Sequence, residues 1–215
     1  MIIMKKLKNG FFKVVAATAC LIFSSYSYSF EYEWADDKPE LLTYVKGNKD
    51  SIVKWASFAY ENGKPYREYI ETIAAKNGVP KEFYVLAAVE SSYKTHATSS
   101  AGAKGMWQFM KGTAGDLGLR GGGFDNRTNW EKSTVAAVQY IKYLAEENFY
   151  GDYELAILAY NAGVGRVKRA ILKNQSADVW VLIQDKESFK QESREYLPKF
   201  IAYANYFKYL DEQDK

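Results

Sequence analysis

One glutamate stands out because of its place in a helical period. Phe83, Leu86, Ala87 and Glu90 follow at i, i+3, i+4 and i+7, so Glu90 shares a face with apolar side chains that should point inward. The segment opens at Pro80 and runs KEFYVLAAVESS. Glu90 falls in its last turn, where the helix dipole disfavours negative charge. Both effects raise a carboxyl pKa, desolvation the more strongly. A glutamic acid kept protonated near neutral pH is what a general acid needs. Spacing alone leaves a second reading open, in which the helix ends a turn earlier and Glu90 fans out into solvent.

Composition narrows the chemistry around that carboxyl. The 215 residues hold one Cys and one His, too few for a disulfide framework or the usual zinc cage. Catalysis of the Ser-His-Asp or Cys-His kind would have to run through His96 alone, and a solvated loop position is expected for it. The formal charge of +3 is too small for a nucleic-acid binder. A mean hydropathy of −0.37 argues against an integral membrane protein. What remains is carboxylate, hydroxyl and amide chemistry, or binding without chemistry, and no metal or cofactor is called for. Aromatic residues make up 16% of the chain, and most are expected to fill the core.

The elements that must position Glu90 are helical. Period 3.6 recurs after Phe30 and period two is almost absent, which predicts an all-α, single-domain fold. A helix is expected over Ser51 to Tyr60, capped by Asp50 or Ser51. A second should open at Pro65, where the missing N–H costs little, and stop at Asn77-Gly78. Gly121-Gly122-Gly123 predicts a mobile or tightly turned loop. Asn129 to Phe149 reads as one long helix, and Arg194 to Leu210 as the last.

The motifs downstream of Glu90 sharpen the picture. Glu90-Ser91-Ser92-Tyr93 is followed by Ser99-Ser100-Ala101-Gly102-Ala103-Lys104-Gly105-Met106-Trp107-Gln108-Phe109-Met110. Ala159-Tyr160-Asn161-Ala162-Gly163 comes next, then Glu192-Ser193-Arg194-Glu195-Tyr196-Leu197-Pro198-Lys199. From about Pro65 to Tyr209 this order resembles the lytic transglycosylases of the soluble-murein-transglycosylase type, in the lysozyme superfamily. The last motif looks like that of the membrane-bound D-type branch. Met106-Trp107 stands where that family has Leu-Met, Gly112 where it commonly has Pro, and Ser193 where it has Thr.

The resemblance implies a lysozyme-like fold and cleavage of the β-1,4 bond between N-acetylmuramic acid and N-acetylglucosamine in peptidoglycan. Glu90 would protonate the leaving oxygen. As carboxylate it would then take the proton of the muramic 6-hydroxyl, leaving a 1,6-anhydro end with no water consumed. Ser99, Gln108 and Met110 match residues beside the sugar or the acid, and Tyr160 matches a hydroxyl that helps hold the acetamido group or the acid. Asn161 is expected to fix a helix end or bind sugar. Glu192 and Tyr196 match the border of the cleft, and Trp107 is the one ring expected to line it. Ser91 is expected to bond back to the backbone, and Gly102 and Gly105 to allow a tight loop.

Two other functions stay in view: a true hydrolase on the same fold, with Asp125 or Glu131 activating water, and a non-catalytic wall-binding or assembly protein. The expected partners are glycan strands, with an envelope apparatus or regulatory protein conceivable through the extension at 30–64. The catalytic unit is expected at 65–210 with a polar tail at 211–215, working as a monomer without nucleic acid. The first 29 residues read as a secretory signal, with four Lys, the apolar run VVAATACLIF, and cleavage after Ser29 or Ser27. A lipoprotein modification of Cys20 is disfavoured because the apolar run continues past it. Cleavage would remove four of the 29 bases and none of the 26 acids, taking the charge from +3 to about −1. The expected location is periplasmic or secreted.

Overall fold

The computed structural model describes residues 38–214. The expected signal at 1–29, with Cys20, and the start of the extension lie outside the described residues. Among the described residues eight α-helices carry the structure: α1 (Pro39–Lys76), α2 (Tyr84–Ser91), α3 (Lys111–Asp116), α4 (Trp130–Tyr143), α5 (Tyr153–Ala162), α6 (Val164–Asn174), α7 (Val179–Leu182) and α8 (Gln191–Gln213). A 3-10 turn, Lys81–Phe83, leads into α2, and a π turn, Leu144–Asn148, prolongs α4. The triple glycine forms a hairpin in which β1 (Arg120–Gly121) pairs antiparallel with β2 (Phe124–Asp125). Gly122 and Gly123 both take positive φ, +50° and +90°, the conformation a two-residue hairpin turn demands. The long helix expected from Asn129 is α4, with the Asn129 side chain accepting the backbone N–H of Lys132 at 2.9 Å.

Two expectations fail together in α1. The stretch at Ser51–Tyr60 is not a separate helix capped at Asp50 or Ser51, and Pro65 does not open a new one. Both lie inside α1, which starts at Pro39 and crosses residues 64 and 65 unbroken. An internal proline removes one rung of the hydrogen-bond ladder, but tertiary contacts hold the helix on both sides of it. Ile52, Ala56, Ala59 and Tyr60 are buried before it, and Ile70 and Ala74 after it. Asp211 of α8 ties the two halves to one point. Its Oδ1 accepts the Tyr60 hydroxyl at 2.7 Å, and its two oxygens accept Arg67 Nη1 and Nη2 at 2.6 and 2.7 Å. Such a bidentate, charge-assisted clamp outweighs a local helix preference.

The helix that carries Glu90 is short and held at its end. Tyr84, Val85, Leu86, Ala87 and Ala88 are all buried. Ser92 then turns left-handed at φ +51°, and its N–H closes on Ala88 O at 3.0 Å. Tyr93 is left-handed as well, at φ +60°, and two such residues in succession persist only where their surroundings fix them. The Tyr93 hydroxyl donates to Tyr84 O at 2.8 Å, and Asn62 of α1 donates to Ser92 O at 3.1 Å. Gly63 makes room for the Tyr93 ring, since a Cβ there would stand 2.6 Å from it. α8 packs along α1 and also meets α2 and α5, which brings the late motif opposite Glu90.

Candidate active site

Glu90 lies in a cleft of about 960 Å³. One wall is the end of α2 and the loop after it, another is the end of α5, and α8 supplies Glu192, Tyr196 and Lys199. The fourth side is the first half of α1, through Tyr44, Ser51, Ile52 and Trp55. Glu90 itself is only partly exposed.

Burial pushes its carboxyl up from the usual glutamate range to about 7. The negative charge of Glu192 acts in the same direction, while a hydrogen bond from Tyr196 and the positive charge of Lys199 pull it down. The Tyr196 hydroxyl donates to Glu90 Oε1. Burial holds the Tyr196 phenol well above its ordinary pKa, so it stays a donor across the physiological range. Lys199 Nζ reaches Val89 O at 3.4 Å, and burial lowers its own pKa. A carboxyl near 7 is about half protonated at neutral pH, able to give a proton and to take one back.

The other residues are arranged around the loop from Ala97 to Phe109. Ser91 Oγ donates to Met106 O at 2.7 Å, as well as back to Ala87 O at 3.4 Å. The Tyr160 hydroxyl donates to Trp107 O at 2.9 Å rather than to Glu90. Gln108 uses Nε2 on Gly105 O at 2.7 Å and Ala97 O at 3.4 Å. Ser99 Oγ accepts the N–H of Ala103 at 3.0 Å. Asn161 Oδ1 accepts the hydroxyl of the buried Ser193 at 2.7 Å, locking the end of α5 to the start of α8. Ser99, Gln108, Met110, Tyr160, Asn161, Glu192 and Tyr196 all line the cleft that holds Glu90.

Residues 68–183 match the Transglycosylase SLT domain family. The chain belongs to that family. It is 33% identical over 172 residues to the membrane-bound lytic murein transglycosylase D of Escherichia coli, an alignment that takes in 76% of this chain and 37% of that one. It is 34% identical over 150 residues to the peptidoglycan transglycosylase gp16 of Escherichia phage T7, covering 67% of this chain and 11% of the phage protein. The chain thus spans little more than a third of the length of the first of these relatives. The 70 kDa soluble lytic transglycosylase of Escherichia coli superposes with a TM-score of 0.58 at 22% identity, over 68% of this chain and 24% of that one. That likeness establishes the lysozyme-like, mostly helical fold.

Within this SLT domain one expected cleft residue is elsewhere. Trp107 is 0% exposed, its ring stacked on Phe83 with centroids 5.0 Å apart and its Nε1 bonded to Thr134 Oγ1 at 3.1 Å. Gln108 takes φ +49°, so the chain turns between the two neighbours and sends the indole into the core and the amide to the cleft. Neither expected second carboxylate reaches the cleft lining. Asp125 Oδ1 and Oδ2 accept Arg127 Nε and Nη2 at 2.9 and 2.8 Å, and that guanidinium holds its carboxyl well below the usual range. Glu131 is exposed in the first turn of α4.

Other residues of the cleft, outside the matched segment, were not expected. Lys199 follows Glu192 and Tyr196 at i+7 and i+3, so helical spacing along α8 alone would have pointed to it. On α1, Tyr44, Ser51, Ile52 and Trp55 fall at i, i+7, i+8 and i+11, a face whose role shows only once α1 is packed.

Proposed function

We propose that the protein is a peptidoglycan lytic transglycosylase in which Glu90 is the single acid and base. The observation that carries this is a carboxyl set near 7 on the wall of a cleft and hydrogen-bonded to Tyr196. Protonated Glu90 gives its proton to the glycosidic oxygen as the bond from C1 of N-acetylmuramic acid breaks, freeing the 4-hydroxyl of N-acetylglucosamine. The 2-acetamido carbonyl of the muramic sugar stabilises the developing positive charge at C1. The muramic 6-hydroxyl then attacks C1, and its proton passes to the Glu90 carboxylate, so the acid is restored and no water is used. Tyr196 supplies a hydrogen bond that favours the carboxylate midway, and the positive charge of Lys199 acts in the same sense. Gln108, its Nε2 spent on loop carbonyls, offers its amide oxygen to the acetamido N–H.

On this reading the chain works outside the cytoplasmic membrane, where its substrate lies, and residues 1–29 serve as the export signal. Among the described residues no helix is long and apolar enough to cross a membrane. A second reading, hydrolysis, is favoured by one observation: Glu192 lines the same cleft and its charge acts on Glu90, the pairing an inverting glycosidase needs. Mass spectrometry of digested sacculi separates them. Products ending in 1,6-anhydromuramic acid, absent with Glu90→Gln, are expected; reducing ends alone would overturn the transglycosylase reading in favour of Glu192-assisted hydrolysis.

A further inference from the structure

We infer that Trp55, on the part of α1 that precedes the matched family segment, is a distal sugar-stacking platform for the glycan strand. This rests on the glycan-cleaving reading above. Trp55 is 47% exposed and Phe58 43%, a large apolar pair to leave on a helix surface. The two rings meet edge to face at 87° with centroids 6.3 Å apart. Phe58 thus stands perpendicular to the indole, and Lys54 Nζ lies over the Trp55 ring, so the platform is the indole face turned away from that ammonium. Trp55 lines the same cleft as Glu90, so the apolar patch is continuous with the site where the strand is cut. Tyr44, on the same wall, stands eleven residues away, about 16 Å along the helix axis. A wall of that length suits an extended polymer better than one or two sugars.

The chemistry fits a pyranose. The axial C–H bonds of an N-acetylhexosamine form a weakly positive apolar face, and the face of an indole is its negative side. Lys54 Nζ lies over one face of the Trp55 ring, 4.8 Å from its centroid, and Lys94 Nζ over the Phe58 ring at 5.7 Å. These two ammonium groups, on exposed side chains, give the patch positive charge that matches the carboxylates of stem peptides on neighbouring muramic residues. The family match begins at residue 68, so the platform belongs to a segment outside the matched family segment. It would set how long a strand the enzyme grips rather than how fast it cuts.

The test uses binding in the Glu90→Gln protein, which cannot consume its ligand, with N-acetylglucosamine trimer and hexamer as probes in isothermal calorimetry. Adding Trp55→Ala is expected to cut the gain in affinity from trimer to hexamer about tenfold, and Trp55→Tyr to recover most of it. Thermal denaturation of the same variants controls for folding, since an exposed ring contributes little there. An unchanged gain in the Trp55→Ala protein, with the wild type still releasing anhydro products from sacculi, overturns the platform and leaves the transglycosylase reading intact. Sacculi left uncut by the wild type overturn that reading and the platform with it.

Discussion

The raised pKa of Glu90 has a consequence for stability that can be measured without any substrate. An ordinary glutamate titrates at 4.5, and burial moves this one to about 7. Between those values the folded state holds a proton that the unfolded chain has released. The carboxyl therefore costs stability progressively as pH rises from about 4.5, until the cost levels off above about 7. A shift of that size corresponds to about 3 kcal/mol. Glu90→Gln removes the charge at every pH while keeping a carbonyl to accept the Tyr196 hydroxyl. The variant should match the wild type near pH 4 and be the more stable of the two near pH 8. For a domain of this size the gap is about 6–12 °C in Tm, nearer the lower end because Glu90 is partly exposed. Circular dichroism melts of both proteins at about pH 4, 6 and 8 follow it, and groups common to both proteins cancel in the difference. A difference that stays flat across that range, or opens toward acid, would show that Glu90 is an ordinary solvated carboxylate and remove the basis for its role as acid.

Tyr196→Phe deletes the hydrogen bond that lowers the Glu90 pKa. The alkaline limb of the kcat/KM profile should therefore move to higher pH, with kcat down about tenfold. Steady-state release of soluble muropeptides across a pH series reads both effects. Gly105→Ala would set a Cβ 1.8 Å from the Arg127 carbonyl at a residue with φ +82°. Urea denaturation should show a loss of about 3 kcal/mol or more, because neither backbone segment can yield without releasing the other.

The parts of this structure that could be read along the chain are those governed by local period. Glu90 sits where the i, i+3, i+4, i+7 spacing puts it, against the same side of α2 as Phe83, Leu86 and Ala87, and the triple glycine makes its tight turn. What escaped depends on residues far apart. Pro65 obeys a sound local rule for helix starts, yet Asp211 clamps Tyr60 and Arg67 on either side of it, and α1 passes through. Trp107 adjoins a cleft residue in sequence, but the left-handed turn at Gln108 puts the two side chains on opposite sides of the loop. The wall formed by Tyr44 and Trp55 had no mark of its own, because a helix face becomes a cleft wall only when α8 and the loop close against it.

The same loop explains why so many of the motif residues turn out to serve geometry. Between Ala97 and Phe109 the chain forms no helix and only isolated antiparallel bridges, Thr98 with Lys104 and Lys104 with Phe109, so several of its carbonyls take side-chain donors as well. Ser91 takes that of Met106, Tyr160 that of Trp107 and Gln108 that of Gly105, while Arg127 Nη1 takes those of Gly102 and Phe109 at 2.9 Å each. These side chains come from α2, α5, the loop itself and the segment after β2, so the loop is stitched to the two helices whose ends stand beside it at Glu90. A buried carbonyl left without its donor costs about 1–3 kcal/mol, and the loss would fall on the wall of the cleft. The motif is therefore a description of one rigid loop, with Glu90 and Tyr196 facing the reaction across it. Substitution of Ser91 or Tyr160 should act on the shape of the cleft, whereas substitution of Tyr196 acts on the proton itself.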